Sequence, residues 1–559
     1  MREKLYHILI IAAFGTVFYV NSFGNFFVWN DWTLIIENYL VKDWSNLPEI
    51  FTSVFWKPLV GEPFRIYRPL VSLSFMADFS FWVLNPWGYH LTNVTLHVAN
   101  SILAYSLMRV YVSPATALMA SVLFAVHPIH TESVTYISGR GDLLMAFFLL
   151  SGVIVFLKSG TRRSLPLYIA SLPLFFLALL AKETAVIVPL LLIAADVSAY
   201  LSFRRTDFAR LCSRQIGPFM VVGAYCLLRE IFVGTIVSGY TLTVSGFVHD
   251  LWPTLKAIPL YFSLLLFPVN LHFIHPLNFY SLLDVQLILS ILLLLGAGWG
   301  LRYSARSGNR ALSFALLWFV IGLLPLIYFI ALNVPLLEGW TYLPSLGFAF
   351  LVVLGLDSLK RWTTSGAPLW LTLWIAVMLG GVTFYRNWDW KDDMQISLHT
   401  IAASPNNPLA LRLAGNAYMR HGNTPEAEKM FQKGLGLAPG DPGLHRSLAA
   451  TSRFMGREAD AVTHYQEALK STLEEPYAYW LLGHYYLRRE KLVEAEKYFS
   501  EAVRKFPYSS ELHRDLARAH YLQGKLAAAE TELRAALRIS PYSTVLKANL
   551  ETILSQRKP

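Results

Sequence analysis

Cysteine is nearly missing from this chain: Cys212 and Cys226 are the only two in 559 residues. A disulfide framework or a cysteine-rich zinc site is thereby excluded, and both are read as packing residues. Charge is scarce as well, at 15% of residues, whereas 55% are hydrophobic and mean hydropathy is +0.43, too apolar for an ordinary soluble protein. The formal net charge of +10 does not point to nucleic acid, because many basic residues lie in short loops between apolar runs, where they orient a membrane protein. A small-residue cleavage site is lacking too. Leu5 to Val20 follows Arg2, Glu3 and Lys4 but leads into Asn21-Ser22-Phe23, so a retained membrane helix is expected in place of a removed signal peptide.

Apolar runs dominate as far as about Tyr385 and then stop. The expected fold is all-α: a polytopic membrane domain over 1–386, a linker over 387–405, and a soluble helical array over 406–559. Besides the first helix, spans of the length that a hydrocarbon core of ~30 Å requires are centred near residues 100, 121, 148, 173, 192, 224, 292, 321, 351 and 375. Basic clusters at Arg2/Lys4, Arg109, Lys158/Arg162/Arg163, Arg204 to Arg214, Arg302 to Arg310 and Lys360/Arg361 share one side if about eleven spans cross. The run Leu255 to Phe267, flanked by Pro253, Pro259 and Pro268, would break that pattern and is expected to be interfacial or re-entrant. The N-terminus is then cytoplasmic and the C-terminal array extracytoplasmic, in periplasm or endoplasmic reticulum lumen.

The C-terminal part repeats every 34 residues. Ala427, Ala461, Ala495 and Ala529 are in register, as are Phe431, Tyr465, Phe499 and Leu533, and Gly434, Ala468, Ala502 and Ala536. Pro405, Pro439, Pro507 and Pro541 close the units, with Leu473 as the exception; Gly422, Gly456 and Gly524 mark the inter-helix turn, with Glu490 as the exception. Small residues at helix crossings, an aromatic between them and a proline at the boundary are the pattern of tetratricopeptide repeats (TPRs), here four and a capping helix. Such an array binds peptides or proteins; Tyr418, Tyr479 and Tyr486 are candidate groove residues.

Chemistry is expected on the outer face. His127 to Asp142, between two apolar runs, holds His127, His130, Glu132, Arg140 and Asp142, and ionisable groups at a membrane edge are read by default as functional. His127, His130 and Glu132 are of metal-ligand type, but Pro128 and the loop setting leave their geometry unpredictable from sequence, and no metal or cofactor is expected. His90, Asn93 and His97 follow i, i+3, i+7 spacing and line one helix face, suited equally to interhelical hydrogen bonding or ligand contact. Arg140 with Asp142, and Lys182 with Glu183, read as ion pairs or as cations for a lipid-linked phosphate held near its acyl anchor. The first outer loop, from Gly24 to Gly88, is too long for a connector and carries Asp31 and Arg68.

Together these motifs resemble the transmembrane and tetratricopeptide-repeat (TMTC) protein O-mannosyltransferases, multi-spanning glycosyltransferases of GT-C type. The matching residues are Asn30-Asp31, Tyr67-Arg68-Pro69-Leu70, His90-Leu91-Thr92-Asn93 with His97, His127-Pro128-Ile129-His130-Thr131-Glu132-Ser133-Val134 with Gly139-Arg140-Gly141-Asp142, Lys182-Glu183, Tyr342-Leu343-Pro344-Ser345 and Arg386-Asn387 with Trp390. The resemblance implies an inverting transfer of a mannose-like sugar from a polyprenyl-phosphate donor to Ser or Thr of an extracytoplasmic protein. It implies Asp31 as base with Glu132 assisting, Arg68, Arg140 and Lys182 on the phosphate, and an acceptor recruited by the TPR array. Two departures stand out: of the family's paired acids only Asp31 remains, and the family's Glu-Arg is here Glu338-Gly339. A non-enzymatic TPR assembly factor, or a lipid-linked-glycan ligase or flippase, are the competing readings.

Overall fold

The computed structural model describes residues 2–52, 66–203, 208–233, 244–269, 271–275, 285–326, 336–359, 366–470, 476–507, 509–541 and 543–557. Among these residues all regular structure is helical, apart from one isolated antiparallel bridge between His275 and Leu336. Two compact units emerge. One comprises Met1–Val28, Ser80–Leu228 and Tyr240–Gln395; the other comprises Trp29–Phe79, Arg229–Gly239 and Ile396–Pro559. Trp29–Phe79, read from sequence as the membrane domain's first loop, thus groups with the repeats.

The first unit is built on α1 (Arg2–Val17), α4 (Pro86–Met108), α5 (Pro114–Val126), α6 (Thr131–Val134), α7 (Arg140–Arg162), α8 (Leu165–Ala181) and α9 (Val188–Phe203), whereas α2 (Leu47–Thr52) and most of α3 (Pro69–Trp82) belong to the second. The first unit continues through α10 (Phe208–Val233), α11 (Val244–Leu266), α12 (Val285–Ser307), α13 (Arg310–Gly322), α14 (Pro344–Ser358) and α15 (Ala367–Arg386). The starts of α4, α5 and α8 are fixed by Asn85, Ser113 and Ser164, whose side chains accept first-turn amides, with proline in the same turn. The expected span centres each fall within a helix. Among the described residues four helical stretches, Ile137–Arg162, Cys212–Val233, Val285–Ser307 and Ala367–Trp390, are long and apolar enough to cross a bilayer; five other apolar helices there have 10–17 residues. Helix length and hydropathy therefore account for four of the eleven. The run Leu255–Phe267 falls on the C-terminal part of α11, which ends at Leu266 and continues as helix through Pro253 and Pro259.

In the second unit, Asp393–Ala403 (α16) leads into four helix pairs: α17 (Pro408–Arg420) with α18 (Thr424–Leu437), α19 (Pro442–Phe454) with α20 (Glu458–Ala468), α21 (Pro476–Arg488) with α22 (Leu492–Lys505), and α23 (Ser510–Leu522) with α24 (Leu526–Ile539). A last helix, α25 (Thr544–Arg557), packs on α24 through Leu546 and Ile553. The in-register alanines and aromatics are buried as the repeat pattern requires, Ala427, Phe431, Ala495 and Phe499 completely. Gly422, Gly456 and Gly524 have φ near +75°, and Glu490, which replaces glycine at the third turn, keeps φ +57°. Leu473 lies outside the described residues.

Candidate functional site

Pro128 cannot continue α5, and the chain folds inward through short helical turns at Pro128–His130, Thr131–Val134 and Ile137–Gly139 before α7 begins. A side chain at Gly139 would collide with the Glu132 carbonyl at 2.4 Å, so only glycine closes this turn. The ionisable side chains of the stretch are enclosed: His130 and Arg140 are fully buried, Glu132 and His127 nearly so, and Thr131 is buried with them.

The histidines are held by hydrogen bonds. His127 Nε2 donates to the Leu265 carbonyl at 2.9 Å, while its Nδ1 accepts the Ile129 amide at 3.2 Å. Both nitrogens of a neutral ring are therefore occupied, and burial pushes the ring's pKa down to about 4. His130 pairs through Nε2 with Ser345 Oγ at 2.7 Å, and burial holds it well below the usual histidine range. On α4, His97 bonds the Tyr342 hydroxyl and the Ala125 carbonyl, both at 2.8 Å, and His90 reaches the Asn25 carbonyl at 3.3 Å. The Asn93 amide meets the carbonyls of Val134, Tyr136 and Ile137 at 3.2–3.3 Å. The polar face of α4 thus ties the loop in place.

Two carboxylates stand in opposite electrostatic settings. Glu132 Oε2 accepts the Gly339 amide at 3.0 Å; burial first, and then the neighbouring charge of Glu338, push its pKa up to about 8 against the lowering effect of that amide. Glu338 is fully buried. Burial acts to raise it, but Arg386 Nη2 at 2.6 Å and His275 Nε2 at 3.1 Å outweigh this and hold it below the carboxylate range. Arg386 also donates to Thr131 Oγ1 at 2.9 Å, to the Leu271 carbonyl and, at 3.4 Å, to Asp389. One acid is thus poised near neutrality beside another fixed as an anion, the pattern of an acid–base pair. A Cβ at Gly339 would sit 3.2 Å from Glu132 Oε1 and from Ser133 Oγ, and that hydroxyl is buried without a hydrogen-bond partner.

Asp142 pairs with Lys182 at 2.6 Å and not with Arg140. Arg140 donates from Nε to Asn93 Oδ1 at 2.7 Å and from Nη2 to the Tyr89 carbonyl at 2.9 Å, which binds α7 to α4. Residues two apart on a helix point to different faces, which is why the neighbours in sequence do not pair. Asp142 and Lys182 line a narrow cleft of about 20 Å³, room for about one water, together with Thr184, Trp340, Leu326 and Pro344. Glu183, next to Lys182, is buried at the start of a short turn. An apolar groove of about 410 Å³ is lined by Ile258, Phe262, Leu293, Phe319, Leu323 and Leu351, and Phe319 and Leu323 belong to the same hydrophobic cluster as Leu326 of the cleft.

In the second unit Asp31 is fully buried, immediately before the helical turn Trp32–Ile36, and Arg68 stands before α3. Tyr418 packs in one cluster with Phe431 of the first repeat and Leu448 of the second, and Tyr486 stacks on Tyr498 with ring centroids 5.4 Å apart. Tyr479 carries Lys505 over its ring at 5.9 Å.

Sequence reasoning missed the site roles of Arg386, His275 and Gly339. Arg386 had a signal, as an arginine at the end of an apolar run. A backbone amide as the partner of Glu132 leaves no trace in residue type, and His275 stands in no recognisable period.

Profiles described as Tetratricopeptide repeat match residues 399–442 with 453–510, and 486–543. The human protein O-mannosyl-transferase TMTC3 is 25% identical over 94% of this chain and 62% of its own length. The Caenorhabditis elegans protein O-mannosyl-transferase F38B6.6 is 25% identical over 78% of this chain and 63% of its own. A segment covering 28% of the chain is 36% identical to 19% of the Xenopus laevis protein O-mannosyl-transferase tmtc2. The chain spans about three fifths of the length of the first two relatives. It is, over most of its own length, similar to the TMTC proteins named protein O-mannosyl-transferases, and like a tetratricopeptide-repeat protein in its C-terminal part.

Proposed function

We propose that this chain is an integral-membrane glycosyltransferase that moves a sugar, mannose by analogy with its relatives' names, from a polyprenyl-phosphate donor to a Ser or Thr hydroxyl of an extracytoplasmic protein. The observation that carries this reading is the buried Glu132, with a pKa near 8 and a backbone amide as its hydrogen-bond partner, between the fixed Glu338–Arg386 pair and the Lys182 cleft. An inert membrane anchor has no use for such a group.

The acceptor oxygen attacks C1 of the sugar as the bond from C1 to the phosphate oxygen breaks, and the electron pair leaves with the phosphate. Asp31 takes the acceptor's proton, Glu132 orients the acceptor hydroxyl, and Lys182 neutralises the departing phosphate, with Arg68 as a second cation. Arg140, enclosed by Asn93 and Tyr89, holds the loop that carries Glu132. The apolar groove beside the cleft suits the lipid chain of such a donor. The repeat array captures the acceptor and raises its concentration near the site. Mass spectrometry of extracytoplasmic proteins with and without this gene tests the reading: loss of O-linked hexose from specific peptides supports it, and an unchanged glycan inventory contradicts it.

A further inference from the structure

The first helices of the four repeats carry equivalent residues 34 apart: Arg412, Arg446, Trp480 and Arg514. These helices touch one another in sequence. Ser447 reaches Asn416 at 3.4 Å between the first and second, and Arg412 lies where a Cβ on Gly443 would meet it at 3.1 Å. Between the third and fourth, Asp515 accepts from Trp480 at 2.6 Å and His484 at 2.9 Å, and Arg514 donates to it at 3.0 Å. The first helices thus present arginine and aromatic groups at matching positions, and solenoids bind extended segments on surfaces built from repeated positions of this kind.

A segment of this same chain already lies against it. Arg420, at the end of the first repeat's first helix, sits over the Trp32 ring at 5.9 Å, within cation–π range. Seven positions later Tyr39, which donates to Glu49 at 3.1 Å, is close enough to Glu511 and Arg514 of the fourth repeat to feel their charges. Eight residues span at most about 28 Å when extended, and five of these form a helical turn. The groups it meets in both repeats, Arg420 in the first and Glu511 and Arg514 in the fourth, all stand on first helices. Trp32 keeps a buried indole N–H without a partner, and Leu34, Ile35, Leu40 and Val41 are all buried.

We infer that the first-helix face of the repeat array is a docking surface for the chain's own segment Trp32–Tyr39, and that an acceptor enters the array by competing with it. The partner that fits is then a segment presenting an aromatic ring to Arg420 and a tyrosine-like group to Glu511 and Arg514, spaced as Trp32 and Tyr39 are. Because Asp31 adjoins Trp32, displacement of the segment shifts the proposed base as the acceptor arrives. The competition rests on the recruiting role given to the array above; the docking does not.

The test uses the full chain in lipid nanodiscs and needs no sugar transfer, so it can succeed or fail independently of the glycosyltransferase reading. Hydrogen exchange of the amides of 32–40 is compared in the wild type and Arg420→Ala/Arg514→Ala, with the amides of Leu526–Ile539 reporting that the array stays folded. At least tenfold faster exchange confined to the segment is expected; unchanged exchange overturns the docking. In parallel, a labelled synthetic peptide covering 29–42 is titrated onto wild type and Trp32→Ser/Tyr39→Ser. Binding at least tenfold tighter to the variant is expected, while equal binding, or none to either, overturns the competition.

Discussion

Glu132 accepts a hydrogen bond from the backbone amide of Gly339, 207 residues away, at 3.0 Å. A carboxylate held by an amide keeps a proton far more readily than one held by a guanidinium. Glu338, bonded to Arg386, illustrates the contrast.

Gly339→Ala tests this contact. The added Cβ falls 3.2 Å from Glu132 Oε1 and Ser133 Oγ, so these buried neighbours must give by a few tenths of an ångström, which strains the carboxylate's bond to the amide. Transfer is expected to fall at least tenfold with little change in the unfolding midpoint. Transfer at the wild-type level would mean that the amide contact has no bearing on activity.

The pH dependence follows from Glu132. Its pKa rises from the ordinary 4.5 to about 8 in the folded protein, so between these values the folded state binds more protons than the unfolded one. Stability from this group is complete below pH 4.5 and is lost as pH rises through about 8. Thermal unfolding of Glu132→Gln should be correspondingly less sensitive to pH over that window. If Glu132 orients the acceptor as an anion, transfer rises with a midpoint near pH 8, and the glutamine variant lacks that limb. An identical pH profile in both proteins would remove Glu132 from the mechanism.

Arg386 is the hub of the buried network, joined to Thr131, Leu271, Glu338 and Asp389. Arg386→Ala leaves Glu338 buried without its main cation, a loss of about 3–5 kcal/mol for a pair of this kind. Adding Glu338→Gln should restore part of it, because the stranded charge is gone. Denaturant melts of both variants check this; a double variant no more stable than the single would show that packing, not charge, dominates.

The repeat array offers a stabilising change. Glu490 holds φ +57° where the other three turns have glycine, and the left-handed region costs a side chain about 1–2 kcal/mol. Glycine loses more chain entropy on folding, about 0.5–1 kcal/mol, so Glu490→Gly should gain up to about 1 kcal/mol. A lowered unfolding midpoint for the array would count against this strain.

The repeats were legible because every unit carries the same crossing residues at one spacing, and even the exception at Glu490 fell on the turn that the period required. Helix positions in the membrane domain were legible from apolar runs, though not which helices cross, since α4 buries His90, Asn93, His97 and Asn100 and dilutes its own signal. The polar island His127–Asp142 was visible for the same reason in reverse. Its partners were not: Asp142 chose Lys182, 40 residues on, over its neighbour Arg140, and the long-range pairings of Glu132 and Glu338 depend on how helices meet. Trp29–Phe79 could not be assigned to the repeat unit from sequence, because its contacts there join residues hundreds of positions apart.

The central claim is that the chain transfers a sugar using Asp31 and Lys182. The most direct measurement is transfer of radiolabelled mannose from polyprenyl-phosphate-mannose to extracytoplasmic protein by the purified chain, beside Asp31→Asn and Lys182→Met. The account predicts incorporation by the wild type and a fall of at least a hundredfold in each variant. Full incorporation by Asp31→Asn, or none by the wild type with this donor, contradicts it.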